Sequence, residues 1–316
     1  MRKAAYLQIT RKCNNRCIFC SNPEFESEPG YNSLVKQINN LKKEGINEII
    51  LTGGEPTISE HLMDILKYIK EVGLNVRMIS NGVNLSDQEF VKALNNIKHI
   101  HISIHHFKNE IADYLSHRTG HLEKSLTGIK NCLKEGKKVD INSTINTKNC
   151  KDLPAFMEFM ISNFPKIQHY VFNALDPGDA DGKIQSRAAK NPEIVAKFTD
   201  FELELAKMIE ILKKNNKSFR IERVPLCYMK GFEEFSTETR KIVKEEKYYC
   251  SFLREGQGHD LRVVSPSSRR IKTRACEFCS VEPLCAGVQK EYALIHGLKE
   301  LHPSFENSQR IIRSIK

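Results

Sequence analysis

The sequence predicts an α/β fold, a partial (βα)6 TIM-like barrel followed by a small, irregular, cysteine-rich C-terminal lobe. Three observations predict it. Short β-rich runs alternate with amphipathic helical stretches through the first two-thirds of the 316 residues, the pattern of repeated βα units with a parallel sheet. Six such runs suggest a barrel left partly open. The alternation ends near residue 217, and Cys227, Cys250, Cys276, Cys279 and Cys285, half of the ten cysteines, come after it.

The strands are expected at Ala4–Thr10, Glu48–Leu51, Asn75–Ile79, His99–Ile104, Val139–Ile145 and His169–Ala174. Helices near Ser33–Glu44, Glu60–Glu71, Asp87–Asn95, Leu122–Lys134 and Leu153–Asn163 fill the gaps. Thr57 with Glu60, and Ser86 with Glu89, read as capping boxes. A lysine-rich helix, Glu193–Asn215, closes the first domain, residues 1–217. Residues 218–316 read as irregular, with Pro225, Gly231, Gly256, Gly258, Pro266 and Pro283 breaking any periodicity.

The length suffices for a substantial core with an appendage. The N-terminus lacks a charged-then-apolar leader, and no apolar run approaches bilayer-spanning length, so a soluble cytoplasmic protein is expected. The net charge of +10 raises a nucleic-acid partner, with Arg269, Arg270, Lys272 and Arg274 crowded together. The positive charges are mostly lysines scattered over helices, however, and an acidic peptide or phosphorylated substrate would be served equally well.

Cys13, Cys17 and Cys20 follow the first strand in the run Cys-Asn-Asn-Arg-Cys-Ile-Phe-Cys. Three thiolates in one tight loop can ligate three irons of a [4Fe–4S] cube, leaving the fourth iron open for a ligand from outside the protein. A disulfide with a spare thiol fits poorly, because ten cysteines without a leader point to a reducing compartment. Zinc would need a fourth donor.

The Cys-x3-Cys-x2-Cys run with Phe19 before its last cysteine, and Gly53-Gly54-Glu55-Pro56 after the second strand, resemble the radical S-adenosylmethionine (SAM) superfamily. The resemblance implies that SAM chelates the open iron and is cleaved to a 5′-deoxyadenosyl radical. It also implies a one-electron donor such as flavodoxin or ferredoxin. Gly53 and Gly54 let backbone approach a ligand closely, and the resemblance places Glu55 on the SAM amino group. Ser80 and Asn81 end the next strand in a polar turn with Gly82. Ser103 and Arg118 match the family's strand-four serine and following arginine, whose guanidinium suits a carboxylate. Asn142 and Thr144 alternate with apolar neighbours and point to the barrel interior, toward a ribose or an internal hydrogen-bond partner. Asn173 and Asp176 carry the same ambiguity. His101, His105 and His106 have no second ligand set spaced to join them as a metal site. Cys132 and Cys150 read as buried small residues.

Cys276, Cys279 and Cys285, in Cys-x2-Cys-x5-Cys before Ala286-Gly287, resemble the SPASM or Twitch extension of radical SAM peptide maturases, which holds auxiliary [4Fe–4S] clusters. Cys227 is the choice for fourth ligand, with Cys250 its competitor. No cysteine stands three residues beyond Cys285, so one auxiliary cluster is expected rather than two. Four thiolates would also suit zinc. Cys250, left over, becomes a candidate hydrogen-atom donor.

The resulting expectation is an enzyme of maturase type acting on a peptide or peptide-like substrate, an argument by analogy. A small molecule or cofactor precursor comes next and tRNA third. The rival from another class is a non-catalytic iron–sulfur electron carrier or a zinc-stabilised binding protein.

Overall fold

The computed structural model describes residues 3–22, 24, 26–178, 186–254 and 258–316. The fold is mixed α/β with a largely parallel sheet of nine strands, as the alternation requires. The strands are β1 (Ala4–Thr10), β2 (Glu48–Gly53), β3 (Asn75–Ser80), β4 (His99–Ser103), β5 (Lys138–Ile145), β6 (His169–Ala174), β7 (Ser218–Glu222), β8 (Tyr248–Arg254) and β9 (Gly258–Val264). All six expected strands form.

The chain divides into two compact units, Met1–Arg16 with Glu24–Ile141 and Tyr248–Val264, and Cys17–Pro23 with Asn142–Lys247 and Ser265–Lys316. In the first unit β1 pairs in parallel with β2, β2 with β3, and β3 with β4. On the other side of β1 lies β8, also parallel, and β9 turns back antiparallel to it. Period-two alternation decides which side chains enter the core. On β4, Ile100 and Ile102 are buried while His99, His101 and Ser103 share the opposite, half-buried face. On β1, Ala5, Leu7 and Ile9 are sealed completely.

In the second unit β6 and β7 pair in parallel. Two short strands, β10 (Arg270–Ile271) and β11 (Val288–Gln289), pair antiparallel. Helices Leu153–Asn163 and Phe198–Lys214 bury Phe156, Met157, Met160, Phe201, Leu205 and Met208.

Residues 218–264 depart from the irregular stretch expected there, since they supply β7, β8 and β9. Gly258, which argued for loop, is the first residue of β9, and Gly256 lies outside the described residues. Tyr248-Tyr249-Cys250-Ser251-Phe252-Leu253 is rich in strand formers, and its register with β9 runs from Tyr248 opposite Val264 to Arg254 opposite Gly258. An additional helix, Asn109–Ser116, lies between β4 and the next expected helix.

Neither capping box forms. Thr57 spends its hydroxyl on Glu55 Oε1, 2.7 Å away, inside a short turn at Pro56–Ile58. Ser86 donates to the Val83 carbonyl, and Asp87 caps the next helix, accepting from the Glu89 and Phe90 amides. A carboxylate one residue later is a ready acceptor for both orphan N–H groups.

Candidate functional site

In the first unit the carboxyl ends of β1 to β4 gather Cys13 and most of the residues expected around SAM. The loop after β1 is held from behind by the Gly53-Gly54 pair. Gly54 N–H donates to the Thr10 carbonyl at 2.7 Å and Glu55 N–H to the Lys12 carbonyl at 2.8 Å. A β-carbon on Gly54 would sit 2.0 Å from Lys12 O, and one on Gly53, whose φ is +142°, 2.1 Å from Thr10 O. The glycines are therefore required by the passage of the cysteine loop itself, a nearer reason than approach to a ligand.

Glu55 is 1 % exposed. Its Oε1 accepts from Thr57 N–H at 3.1 Å, Thr57 Oγ1 at 2.7 Å and Ser80 Oγ at 2.8 Å, and Oε2 accepts from Asn81 N–H at 2.7 Å. Burial pushes its pKa up, against these four donors, which pull it down. The carboxylate thus ties the end of β2 to the turn after β3.

That turn reaches the cysteine loop. Asn81 Nδ2 donates to Asn14 Oδ1 at 2.6 Å and lies 4.0 Å from Cys13 Sγ, while Asn15 N–H lies 3.4 Å from the same sulfur. Arg118 donates from its guanidinium to the Asn14 carbonyl at 2.5 Å, and Arg16 N–H donates to the Ser116 carbonyl. Asn15 Nδ2 lies 3.1 Å from His121 Nδ1. Burial holds the His121 pKa down to about 4, and burial with His121 beside it holds His105 down to about 3. Both imidazoles are neutral near pH 7. Ser103 ends β4 on its half-buried face. Gly82 packs so tightly that a β-carbon there would come within 2.9 Å of Ile102 Cγ2.

In the second unit the rest of the loop has its own supports. Arg187 Nε donates to the Cys17 carbonyl at 3.0 Å, and Ala188 N–H to the Cys20 carbonyl at 3.0 Å. Phe19 is buried. Asn142 accepts from Asn173 Nδ2 at 2.5 Å, and Arg223 donates to Asn173 Oδ1 at 3.2 Å and lies 4.0 Å from Asp176. Thr144 is half-buried, one step farther along the same face of β5.

Cys13, Cys17 and Cys20 are half-buried and in no disulfide. Three thiols within one short run of sequence, one of them with a main-chain N–H toward its sulfur, are the donor type that iron–sulfur clusters take.

A second cysteine site lies wholly within the second unit. Cys227, Cys276, Cys279 and Cys285 line one small cavity with Pro225, Leu226, Leu301 and His302. Main-chain N–H groups point at the sulfurs. Ser304 donates to Cys279 Sγ and Gly287 to Cys285 Sγ, Leu226 N–H also faces Cys285, and His302 N–H faces Cys227. Burial and the neighbouring sulfurs push the Cys227 pKa up to about 12, and burial raises that of Cys285. A cation among them would offset that shift, and four sulfurs, three of them with aimed N–H donors, fit either a [4Fe–4S] cluster or zinc. Cys250 is buried on β8 in the first unit, opposite Tyr6. Cys132 and Cys150 are buried, as expected.

Sequence reasoning missed Asn14, Asn15, His121, Arg187 and Arg223, none of which stands in a recognisable spacing. It also missed the company of His101. The structure brings His99 and Asp140 to it, whereas His106 is fully buried and accepts from Lys108 N–H.

Residues 7–160 match the family model described as Radical SAM superfamily. Over 169 residues the chain is 31 % identical to the Fe-coproporphyrin III synthase of Methanosarcina barkeri, spanning 51 % of this chain and 42 % of that protein. Over 154 residues it is 32 % identical to the GTP 3′,8-cyclase of Clostridium perfringens, spanning 46 % and 47 %. The chain thus spans about half the length of these curated relatives or less. Among solved structures, Streptococcus suis SuiB bound to S-adenosylmethionine superposes with a TM-score of 0.65 at 15 % identity, over 96 % of this chain and 77 % of that one. The structure titled anSMEcpe with bound AdoMet and Cp18Cys peptide gives 0.64 at 15 %, over 99 % and 95 %. At that identity the likeness is one of fold. The chain carries a radical SAM domain, and among the described residues no helix is long and apolar enough to cross a membrane.

Proposed function

From this domain we propose a radical SAM enzyme in which Cys13, Cys17 and Cys20 hold a [4Fe–4S] cluster and SAM completes the open iron. Bound together, cluster and SAM supply a 5′-deoxyadenosyl radical that takes a hydrogen atom from substrate. The observation that carries the reading is the construction of the first-unit site. One buried carboxylate and two glycines lock the ends of β2 and β3 against the loop that presents the cysteines.

In this reading Ser103 and the remaining guanidinium donors of Arg118 orient the methionine end of SAM. Glu55 acts by positioning Asn81 and Ser80, and its own contact with the SAM amino group would come second. Phe19, Asn142 and Thr144 belong to the nucleoside end. His105 and His121, kept neutral, add no charge beside the cluster.

The second-unit cysteines hold one auxiliary [4Fe–4S] cluster, in a SPASM- or Twitch-like lobe within residues 218–316 that follows the core of residues 1–217. Cys227 is its fourth ligand, because it shares the cavity with the other three. The substrate class is a peptide or peptide-like molecule. Its support is that the fold likeness to anSMEcpe, whose structure holds a peptide, extends over 99 % of this chain, including the cysteine-rich lobe. The sequence likeness to the cyclase and the coproporphyrin enzyme, which favours a small-molecule substrate, is confined to about half of it.

The test is 5′-deoxyadenosine formation by anaerobically reconstituted, reduced protein given SAM, beside a Cys13/Cys17/Cys20→Ala control. Product from the wild type alone supports the reading. A loaded cluster whose paramagnetic-resonance signal ignores SAM, with no product, points to an electron carrier.

A further inference from the structure

We propose that His99, His101 and Asp140 form a binding site for a divalent transition-metal ion that prefers nitrogen and oxygen ligands, such as Zn2+ or Fe2+. The site belongs to neither cysteine set, and the inference does not depend on the reaction proposed above.

His99 and His101 stand two residues apart on β4 and so share one face. Their rings stack with centroids 4.6 Å apart and planes at 27°. From β5, Asp140 directs a single oxygen at both: Oδ2 lies 2.7 Å from His99 Nε2 and 3.8 Å from His101 Nδ1. All three candidate ligand atoms fall within 4.8 Å of one another. Two imidazoles and one carboxylate with open positions left over are a donor set used by zinc and non-haem iron. Bonds of about 2.0–2.2 Å to one ion would separate neighbouring ligand atoms by roughly 3 Å, a value bracketed by the two observed separations. The ion would replace the hydrogen bond between His99 and Asp140.

The surroundings favour this exchange. Asp140 is 2 % exposed in its side chain, whereas His99 and His101 are 16 % and 17 % exposed. The carboxylate is therefore fixed, and the imidazoles leave a route for an aqueous ion. Arg77 and Lys138 are cations near the site. Arg77, opposite His99 in the β3–β4 register, donates to Glu48 Oε2 at 2.6 Å. Lys138 is 3.8 Å from Asp140 Oδ1 but 59 % exposed, free to swing into water. His99 is the first residue of β4 and Asp140 the third of β5, so the site is at the amino ends of these strands. Ser80 and Ser103 are at the carboxyl ends of β3 and β4, where the cysteine loop lies. An ion here would pin β4 to β5 and would not take part in chemistry at the other end.

The experiment is zinc K-edge X-ray absorption, with metal counting by mass spectrometry, on the full chain. Its cysteine sites are first filled with reconstituted iron–sulfur clusters, and the protein is then dialysed against equimolar Zn2+. The expected result is one zinc per chain with a nitrogen and oxygen shell, imidazole outer-shell scattering and no sulfur. Asp140→Asn and His101→Gln should each weaken Zn2+ binding tenfold or more in chelator competition. Absence of imidazole outer-shell scattering, zinc at trace level, or unchanged binding in both variants overturns the proposal. Should either variant fail to fold, the wild-type count and spectrum decide alone.

Discussion

Glu55→Gln tests how the cysteine loop is held. The wild-type carboxylate is buried and accepts four hydrogen bonds, three at Oε1 and one at Oε2. Two effects oppose each other on substitution. Removing the charge relieves the desolvation that pushes the Glu55 pKa up, but an amide has only one accepting oxygen. Placing that oxygen at the Oε1 position keeps the Thr57 and Ser80 donors satisfied and turns the NH2 group toward Asn81 N–H. Flipping the amide strands three donors in place of one, so the first arrangement wins. A buried main-chain N–H left facing another donor costs about 2 kcal/mol, roughly thirtyfold in the folding equilibrium. The substitution should lower the unfolding free energy of the cluster-free protein, read from its urea midpoint, by that amount and speed hydrogen exchange at the Asn81 amide. It should also lower cluster loading, because Asn81 bonds to Asn14. An unchanged midpoint with full Asn81 protection would refute the positioning argument and return Glu55 to a role in SAM contact alone.

Two further outcomes follow from the site geometry. Cys227→Ala should remove one cluster's worth of iron from reconstituted protein, as Cys276→Ala does, whereas Cys250→Ala should leave iron content intact; the reverse pattern would make Cys250 the ligand. Stability should fall as the medium is acidified below pH 6.5. The folded state holds His121 neutral down to about pH 4 and His105 down to about 3, while the unfolded chain takes up protons from pH 6.5 downward. Stability is therefore full above 6.5 and declines by about 1.4 kcal/mol per pH unit for each imidazole. His121→Gln should flatten the slope between pH 6.5 and 4 by one proton's worth in denaturation midpoints, and an unaltered slope would show that His121 does not titrate with unfolding.

Features that depend on neighbours along the chain are legible from the residues alone. The runs that become β1 to β6 are legible because side chains alternate with period two on a strand, and their helices because apolar residues recur with helical period. Cys13, Cys17 and Cys20 are legible because three ligands to one cluster fit within one loop. Tertiary structure decided whatever depends on register and distant approach. Gly53 and Gly54 stand out in sequence, but their need becomes visible only where Thr10 and Lys12 carbonyls pass within about 2 Å of the missing β-carbons. The donors of Glu55 come from the turn after β2 and from the end of β3, and Cys227 joins Cys276, Cys279 and Cys285 across a long interval of chain. The pairing of β8 with β9 escaped because Gly258, a residue type common in loops, opens β9. His101 looked isolated because its partner Asp140 is 39 residues away on another strand, and only the β4–β5 pairing brings the carboxylate to the imidazoles. A sequence carries the chemistry of each residue, but which distant residues meet is set by how strands align and helices pack, a property of the whole fold.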